Sequence, residues 1–494
     1  MSVNFTKQTP ISPKLNKNLE YIGEKLGIGL SFDLLIREFK IGRKKVAFVF
    51  LDGFVSSDLV TLVMQSLMDA RREDVVPNSL EKIYSRLLPY GETSFVNNFE
   101  EVVAEILAGP LVFLIDGENR AIVVDTREYP GRDPEEPDVE KITRGSRDGF
   151  VETLLFNIAL VRRRVRDPGL RTEVMQVGSR SLTDIALLYI DDIVNPYILE
   201  RVRERLQKIK VDGLPMAEKS VEEFITDTFW NPFPEVRYTE RPDVAAVHLL
   251  EGHVCIIVDT SPAVIIAPVT LFHHVQHAEE FRHNPIIGLY IRWVRLIGIA
   301  VSVFLIPLWL IIAENPGLMP EFLELIGPRE EPALPLFIQF VFANIGLDLI
   351  RMASIHTPSP MATALGLVGA LLIGEIAVDV GFFVPEVLLY IGLVAIGVFA
   401  TPSWELGLAN RLIHIILLVL TGFFNYYGFL AGLLLLLVLL KRTSSFGLPY
   451  LWPLIPFDGP SMLSILLRKP VPVKGYRPAF LKTQDPDTAP PGEK

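Results

Sequence analysis

"KIGRKKVAFVFLDGFVSSDLVTLVMQSL" (residues 40–67) and "QVGSRSLTDIALLYIDDIVNPYILERVRERL" (residues 176–206) carry the same pattern. Each segment has a glycine turn, an apolar run typical of a β-strand, an aspartate, and then apolar residues at helical spacing. The alignment places Asp52 opposite Asp191. Two copies of one strand–helix unit predict two related α/β subdomains in the first half of the chain.

A second pair of segments repeats in the same order. "GPLVFLIDGENRAIVVD" (109–125) aligns with "GHVCIIVDTSPAVIIAP" (252–268), which places Asp116 and Asp259 in the tight turns of two β-hairpins. The two pairs of aspartates are 139 and 143 residues apart, so order and spacing both agree. Coincidence between two ordinary strand–helix units is the alternative, and the agreement favours duplication.

Charge and hydropathy divide the 494 residues into three regions. Residues 1–295 have a net charge of −8, the apolar residues 296–440 a net charge of −7, and residues 441–494 a net charge of +4. Half of the chain is hydrophobic, which is typical of a membrane protein. The N-terminus lacks the apolar core of a signal peptide, so we expect insertion to depend on internal segments. The single cysteine excludes an intrachain disulfide.

These observations predict an α/β cytosolic part of two related subdomains, followed by an all-α multi-pass membrane domain. The predicted boundaries are an N-terminal tail (1–29), subdomain 1 (30–128), a linker rich in proline and acid (129–144), subdomain 2 with a juxtamembrane helix (145–290), a transmembrane domain of four to six spans (291–442) and a cytosolic C-terminal tail (443–494).

The first span is predicted at residues 296–312, which carry no charge. Arginines precede this segment and an acidic loop (313–333) follows it, so the positive-inside rule places the soluble half in the cytoplasm and the loop outside. Lys441 and Arg442 then return the chain to the cytoplasm, which requires an even number of crossings. Further spans are predicted at 363–383, at 386–402 and within 408–440, where Asn425 to Gly428 is a possible break.

Residues 334–356 are apolar but carry Asp348 and Arg351, which share one face of a helix because they are three residues apart. Three interpretations remain open for this segment: a re-entrant helix, a helix facing a pore, and a span packed inside a bundle.

Two further acids, Glu375 and Asp379, are four residues apart in an apolar run. Charges inside spans are expensive and usually face protein or water. Rings of carboxylates around an oligomer axis favour cation entry, so these acids are candidate pore residues. The alternative is that they lie at an interface or near the lipid headgroups and pair with a base such as Arg351 or Arg411.

Motifs for chemistry are weak. His273, His277 and Glu280 in "LFHHVQHAEEFRH" (271–283) could hold zinc, but an amphipathic juxtamembrane helix explains the spacing equally well. The soluble half has no phosphate-binding loop, nucleophile elbow or dinucleotide-binding turn. We therefore expect no enzyme, no metal and no cofactor.

"RGSRDGFVETLLFNIALVRRRVRD" (144–167) contains six arginines. Nucleic acid is a poor partner for this run, because the soluble half is net acidic and the run lacks aromatic residues for base stacking. Ionic packing inside the soluble half is the favoured interpretation, and contact with anionic headgroups of membrane lipid is the alternative.

Residues 131–167, "TERPD" (239–243) and residues 249–268 resemble the A subunits of the GerA-type spore germination receptors. The resemblance covers nearly the whole chain. It implies that the arginine run and TERPD are family signatures with a structural role, ordering the second subdomain and a subunit interface. The signature residues are Arg144, Arg147, Arg162, Arg163, Arg164, Thr239, Glu240, Arg241, Pro242 and Asp243.

The resemblance also implies a function: a multi-pass protein of the spore inner membrane that forms a homo-oligomer, a pentamer, with a gated ion channel, for which the excess of acids in residues 296–440 favours cations. Residues 277–299 and 447–478 resemble a branch of the family that acts without cognate B and C subunits. In that branch a small membrane partner or other germination proteins are the expected partners, and the expected role is to amplify germination. The alternative is a non-conducting receptor or scaffold subunit that relays a germinant signal.

Overall fold

The structure is a computed structural model that divides into two compact units. One unit contains Met1–Asp227, Val236–Val269 and Pro472–Lys494, and the other contains Thr228–Glu235 and Thr270–Val471. The structure describes residues 9–88, 92–128, 140–227, 230–315, 317, 327, 332–356, 376–468 and 475–488.

Subdomain 1 contains a five-stranded sheet with the strand order β1-β2-β4-β5-β3, in which every neighbouring pair is antiparallel. Its strands are β1 (Leu34–Ile41), β2 (Lys44–Leu51), β3 (Thr93–Val96), β4 (Leu111–Ile115) and β5 (Ala121–Val124). Its helices are α1 (Leu15–Leu26), α2 (Ser57–Met68), α3 (Arg72–Val75), α4 (Ser79–Lys82), which continues into a π-helical turn (Ile83–Leu87), and α5 (Phe99–Ala108).

Subdomain 2 contains a second sheet with the equivalent order, β6-β7-β9-β10-β8, again antiparallel throughout. Its strands are β6 (Leu170–Val177), β7 (Thr183–Ile190), β8 (Arg237–Thr239), β9 (Val254–Val258) and β10 (Val264–Ala267). Its helices are α6 (Leu154–Arg164), α7 (Pro196–Gln207), α8 (Ala217–Ile225) and α9 (Pro242–Glu251). The shared strand order confirms the predicted duplication and the α/β class of the soluble half.

The four aspartates of the duplicated pattern occupy equivalent positions. Asp52 follows β2 and precedes α2, and Asp191 follows β7 and precedes α7. Asp116 lies in the β4–β5 hairpin and Asp259 in the β9–β10 hairpin. This confirms the register predicted from the sequence.

The hairpin aspartates bind the first helix of their own subdomain. The carboxylate of Asp116 accepts a hydrogen bond from the backbone N–H of Leu15 (3.1 Å), and that of Asp259 accepts one from Leu154 (3.0 Å). Leu15 and Leu154 are the first residues of α1 and α6. A carboxylate at a helix N-terminus satisfies a free N–H and complements the helix dipole, so each turn anchors one helix.

A buried asparagine repeats in the same way. The side chain of Asn18 accepts from the N–H of Ser12 (2.9 Å) and donates to its carbonyl (2.7 Å). Asn157 makes the same two bonds with Val151, at 2.8 and 2.5 Å. Both asparagines are at most 1% exposed. The repeat therefore extends to α1, which lies in the part of the chain assigned to the N-terminal tail in the sequence analysis.

Helices cover both faces of the first sheet. Leu15 and Ile22 of α1 and Ile106 of α5 pack on one face, with Val49 and Val112 of the sheet. Helices α2 to α4 pack on the other face, against the phenylalanines of β2 and β4. Because both faces are buried, β2 reads as an almost continuous apolar run instead of an alternating one.

The second unit consists mainly of helices. They are α10 (Leu271–Val275), α11 (Glu279–Arg282), α12 (Pro285–Glu314), α13 (Leu336–His356), α14 (Ala377–Asp379), α15 (Pro385–Phe399), α16 (Trp404–Arg442) and α17 (Gly459–Leu466). A short hairpin of β11 (Ser444–Ser445) and β12 (Leu448–Pro449) follows α16. Among the described residues, α12, α13 and α16 contain segments long and apolar enough to cross a membrane. The length and apolar composition of these helices confirm the prediction of a helical membrane part.

The predicted spans correspond to these helices to different degrees. Residues 296–312 lie within α12, and residues 386–399 lie within α15. The predicted span 363–383 lies largely outside the described residues, and its described end contains only the one-turn helix α14 and a turn. Two short helices, α10 and α11, replace the single amphipathic helix expected over 271–283.

Helix α16 reverses direction at the break expected from the sequence. Asn425 has φ = 53° and ψ = −137°, which no helix accommodates. Its two arms pack so closely that a Cβ on Gly428 would lie 1.9 Å from the carbonyl oxygen of Leu420. A Cβ on Gly432 would likewise lie too close to the other arm, 2.6 Å from the Leu417 side chain. Residues 404–442 therefore form a helical hairpin, and glycine is required where its arms meet.

The repeated asparagine gives a test of the duplication. Asn157→Ala removes two buried hydrogen bonds and leaves the backbone groups of Val151 unpaired, so we expect a loss of about 1–3 kcal/mol in unfolding free energy. Asn18→Ala should cost a similar amount, since its contacts are equivalent. Asn97→Ala, at an exposed position, is the control. Pulse proteolysis of the full-length chain across a urea series measures the effect, and a neutral Asn157→Ala would refute the argument.

Candidate functional site

The arginine run contains a buried ion pair that joins the two subdomains. Arg162, in the last turn of α6, donates from Nε and Nη2 to the two carboxylate oxygens of Asp33, both at 3.0 Å. The two side chains are only 4% and 2% exposed. Arg162 also donates from Nη1 to the carbonyl of Leu170 (2.9 Å). A guanidinium held by a bidentate carboxylate and a carbonyl has most of its donors satisfied, which allows it to be buried.

Backbone contacts continue this junction. The N–H of Phe32 donates to the carbonyl of Thr172 (2.9 Å), and Arg171 donates to the carbonyl of Leu26 (3.3 Å). Gly27, in the left-handed conformation at the end of α1, lies against the Arg171 side chain, where a Cβ would be 2.7 Å from Nε. The start of β1 and the start of β6 are thus held together by the residues around Asp33 and Arg162.

The TERPD signature binds the segment that leads into subdomain 2. Arg241 has no exposed surface and is paired with Asp243 through two hydrogen bonds of 3.0 and 2.9 Å. Its guanidinium also donates to the carbonyls of Glu140 (3.3 Å) and Ser146 (2.9 Å). The hydroxyl of Thr239 donates to the Glu140 carboxylate (2.5 Å).

The remaining TERPD residues complete this arrangement. The backbone N–H of Glu240 donates to the Glu140 carboxylate (3.3 Å), and its carbonyl accepts from Phe150 (2.8 Å). Pro242 is the first residue of α9, a position where the missing N–H of proline costs nothing. TERPD thus connects the linker segment to the N-terminus of α9.

The two signatures meet at Ser146. Arg164 donates to the hydroxyl of Ser146 (2.9 Å) and forms an ion pair with Asp148, while Arg241 binds the Ser146 carbonyl. Burial opposes ionisation of Asp148, but hydrogen bonds from Arg164 and Ser146 hold its pKa below the usual value. The structure therefore brings Arg164 and Arg241 together at Ser146, while Arg162 binds Asp33 of subdomain 1. Arg144, Arg147 and Arg163 are exposed.

In the membrane part, Arg411 pairs with Asp348. Arg411 is buried in the first arm of α16 and donates from Nε to Asp348 (3.0 Å). It also binds Asn344, through the side-chain oxygen and through the carbonyl at 3.0 Å. Asp348 and Asn344 are four residues apart on α13, so one face of α13 holds this arginine. Of the interpretations of residues 334–356, the helix packed inside a bundle agrees best with these contacts.

The other candidate membrane residues are not part of this pair. Arg351 lies over the ring of Trp404, with its guanidinium carbon 4.3 Å from the centroid. Asp379 is exposed at the end of α14, close to the turn at Gly381. Glu375 lies outside the described residues. Asp379 is therefore at a helix end next to a turn, and most of the predicted span 363–383 that would contain it lies outside the described residues.

The histidine-rich segment does not assemble the trio proposed from spacing. The ring of His273 interacts with Thr270, the residue before α10, through the N–H and hydroxyl of Thr270. The two carboxylate oxygens of Glu280 bind Arg292 and Arg295. Glu280 is therefore a partner of arginines, and His273 fixes the start of a helix.

Comparison with known proteins agrees with the signature residues. A family model described as Bacillus/Clostridium GerA spore germination protein matches residues 20–480. The chain belongs to the GerA family.

Relatives within the GerA family match over nearly their full length. Stage V sporulation protein AF of Bacillus subtilis (strain 168) is 45% identical over 467 residues, covering 94% of each chain. Spore germination protein KA of the same organism is 31% identical over 484 residues, covering 96% of this chain and 88% of that protein. The crystal structure of the N-terminal domain of the A subunit of the Bacillus megaterium spore germinant receptor GerK3 is 32% identical. It covers 53% of this chain and 97% of that chain, with a TM-score of 0.42.

Several partners of the GerA signature residues were not found by sequence reasoning. Asp33, Glu140 and Ser146 bind the signature arginines, but nothing in their local pattern marks them. Asp33 is 129 residues from Arg162, and Glu140 is 101 residues from Arg241. A buried arginine needs a hydrogen-bond acceptor. The predicted ionic packing of the arginine run therefore implied acidic partners, but it did not identify them.

The Arg162–Asp33 pair can be tested by a double-mutant cycle. Arg162→Met leaves the buried Asp33 carboxylate unpaired, and we expect a loss of about 3–5 kcal/mol in unfolding free energy. Combining Arg162→Met with Asp33→Leu should recover much of that loss, because no unpaired charge remains. The exposed Arg166→Gln is the control. Pulse proteolysis in urea provides the measurement, and additive single losses would show that the pair contributes no coupling.

Proposed function

We propose that this GerA-family protein is a subunit of an oligomeric cation channel in the spore inner membrane and amplifies the germination response. The excess of acidic residues in its membrane part carries this proposal. Residues 296–440 contain ten acids and three basic residues, and five of these acids and one of these bases lie in the 313–333 loop, where they would face an entrance to the pathway. An acidic pathway attracts cations and repels anions.

The contacts of the arginines strengthen this argument. Arg411 is bound to Asp348 and Asn344, and Arg351 lies on Trp404. Each arginine is thus placed by contacts within its own chain, and Asp379 remains exposed at the end of α14. The exposed carboxylate of Asp379 can contact water or ions, whereas the carboxylate of Asp348 accepts a hydrogen bond from Arg411.

The pathway would lie between subunits. Helices α12, α13, α15 and α16 pack on one another through two apolar clusters, which contain Val303, Leu417 and Leu436 in one and Ile306, Phe340 and Val394 in the other. The faces away from these clusters expose large apolar residues, which suit lipid or a neighbouring subunit. The described helices of one chain pack into a bundle through these apolar clusters. A homo-oligomer, taken as a pentamer from the family resemblance, would provide an aqueous path along its symmetry axis.

The path of the C-terminal segment supports an even number of crossings. After the membrane helices, the chain returns to subdomain 2, where Gln484 donates to the carbonyls of Asp191 and Val194, both at 2.8 Å. Phe480 and Leu481 are buried in the same unit. Both ends of the membrane part thus connect to the same soluble unit, and the positive-inside rule places that unit in the cytosol.

The relatives favour a role in sporulation and spore germination. Their names describe sporulation and spore germination. A small membrane partner, or other germination proteins, would couple this subunit to the germination signal. A subunit that relays this signal without conducting ions is the competing function, and ion flux separates the two.

Topology can be tested by cysteine labelling. A Cβ at Gly317 meets no atom of the described residues within 4 Å, so Gly317→Cys should be tolerated. Cys255 is buried in β9, and burial raises the pKa of its thiol, so it should react slowly, but Cys255→Ser removes it as a background. We expect membrane-impermeant maleimide to label Gly317→Cys from the external face. Labelling only from the cytosolic face would reverse the proposed orientation.

Conduction can be tested by comparing three acids. Glu375→Gln and Asp379→Asn should reduce cation flux through purified protein in liposomes while the amount of assembled protein stays normal. Asp348→Asn is the contrasting variant, because it weakens the partner of buried Arg411 and should lower the protein level first. Normal flux at normal level in both Glu375→Gln and Asp379→Asn would remove these acids from the pathway. The absence of flux from the unmodified protein would favour the relay function.

A further inference from the structure

Three arginines converge near the start of α12, the first long apolar helix. Arg292 and Arg295 lie on α12, and Arg468 follows α17. We call these residues, together with Glu280 of α11, the arginine cluster. None of the candidate residues discussed above for conduction belongs to it, so it poses a separate question.

One buried carboxylate serves two of the arginines. Glu280 has no exposed surface and accepts a hydrogen bond from Nε of Arg292 (2.7 Å). Its other oxygen forms an ion pair with Arg295. Arg292 also donates to the carbonyl of Ile465 on α17 (2.5 Å). Both oxygens of the Glu280 carboxylate are therefore occupied, and Arg292 joins α11, α12 and α17.

The third arginine is buried with unused donors. Arg468 is 9% exposed, and its Nη2 donates to the carbonyl of Phe281 (3.1 Å). Its Nε and Nη1 atoms are buried without a hydrogen-bond partner among the described residues. Burial and the neighbouring Arg292 lower the pKa of the Arg468 guanidinium. A buried cationic donor without an acceptor is costly, which favours an anion beside it.

The geometry brings the charges close together. The guanidinium carbons of Arg292 and Arg468 lie 5.7 and 5.5 Å from the centroid of the Phe281 ring. Arg468 crosses α12 at Gly288, where a Cβ would be 2.8 Å from its Cδ atom. Three guanidinium groups share the Glu280 carboxylate, and the charge of the neighbouring Glu279 also acts on Arg295, so among the described residues the site keeps a net positive charge.

The surface around the cluster is apolar and aromatic. Ile286, Tyr290 and Trp293 of α12 are 77%, 69% and 44% exposed. Leu463 of α17 and Leu467, which follows that helix, are 50% and 45% exposed. Tyrosine and tryptophan favour the level of lipid headgroups, and exposed aliphatic residues on a short helix favour the acyl boundary below them.

We propose that Arg292, Arg295 and Arg468 form a binding site for the phosphate group of an anionic phospholipid. Arginine forms planar, charge-assisted hydrogen bonds with phosphate oxygens, and basic pockets beside membrane helices bind anionic headgroups. Inorganic phosphate offers the same oxygens, but it would leave the apolar rim in water. A phospholipid covers that rim with its acyl chains, so the surface favours the lipid as the source of the phosphate.

The site goes beyond the proposed channel function and does not depend on it. A bound lipid would hold α17 against the first turns of α12. Arg292 of α12 already donates to the carbonyl of Ile465 on α17, and the phosphate would bind both Arg292 and Arg468, which follows α17. It would thereby fix the C-terminal end of α17 beside α12.

Native mass spectrometry of the purified full-length chain tests the site. The chain is released from detergent supplemented with phosphatidylglycerol or with phosphatidylcholine, and the retained lipids are counted. We expect the unmodified chain to retain phosphatidylglycerol in preference to phosphatidylcholine. Arg468→Gln should bind phosphatidylglycerol roughly tenfold more weakly, the effect of losing about 1.4 kcal/mol of charge-assisted contact. It leaves the ion pairs of Glu280 in place, so folding should be preserved.

Matched variants and a second ligand complete the design. Arg442→Gln, at an exposed arginine at the end of α16, should bind phosphatidylglycerol like the unmodified chain. Arg468→Lys keeps the charge without the planar donors and should be intermediate, and it replaces Arg468→Gln if that variant does not fold. Equal retention in Arg468→Gln or Arg468→Lys and the unmodified chain, or equal retention of the two lipids, would overturn the proposal. Arg468-dependent thermal stabilisation by inorganic phosphate, without retention of phosphatidylglycerol, would assign the site to a free anion instead.

Discussion

The buried pair of Arg162 and Asp33 is the constraint on which the arrangement of the soluble half depends. Two copies of one fold could associate through many apolar surfaces, and apolar contacts alone do not specify which. A guanidinium in the interior requires its acceptors at fixed distances and angles, and Asp33 supplies two of them at 3.0 Å. A buried ion pair is weak evidence of net stabilisation. It is stronger evidence of specificity, because other arrangements of the subdomains would leave a charge buried alone.

This constraint also explains the clustering of arginines at the end of α6. A helix C-terminus carries a partial negative charge, so cations in its last turn are favourable there. Arg162 points to subdomain 1, while Arg164 binds Ser146 and Asp148 in the linker segment. Arg241 binds the same segment from the other side. The C-terminal end of α6 thus fixes the contact with subdomain 1 and the path of the chain between the two subdomains. The contacts of Arg162, Arg164 and Arg241 are those of a scaffold.

The predictable parts of this fold are those encoded by local pattern. The paired strands, the hairpin aspartates Asp116 and Asp259 and the break at Asn425 follow from apolar runs and turn residues that lie close together in sequence. Helix α1 was missed because its surroundings are polar, although Asn18 and Asn157 lie at the same 139-residue spacing as Asp52 and Asp191. The pairs Arg162–Asp33 and Arg411–Asp348 join residues 129 and 63 positions apart. Such pairing depends on how the elements pack, and a single sequence carries no local signal for it.

In the membrane part, a buried basic residue is paired with an acidic residue of a neighbouring helix. A buried arginine between apolar helices needs local acceptors, and Arg411 obtains them from Asn344 and Asp348 of one neighbouring helix. The pair is neutral, so it removes one acid and one base without changing the net charge of −7 across residues 296–440. Five of the remaining acids lie in the 313–333 loop, which the positive-inside rule places in water, and Glu386 and Glu405 lie in the first turns of α15 and α16. In the proposed oligomer, acids at loops and helix ends would surround the entrance to a shared aqueous axis, where they would attract cations and repel anions.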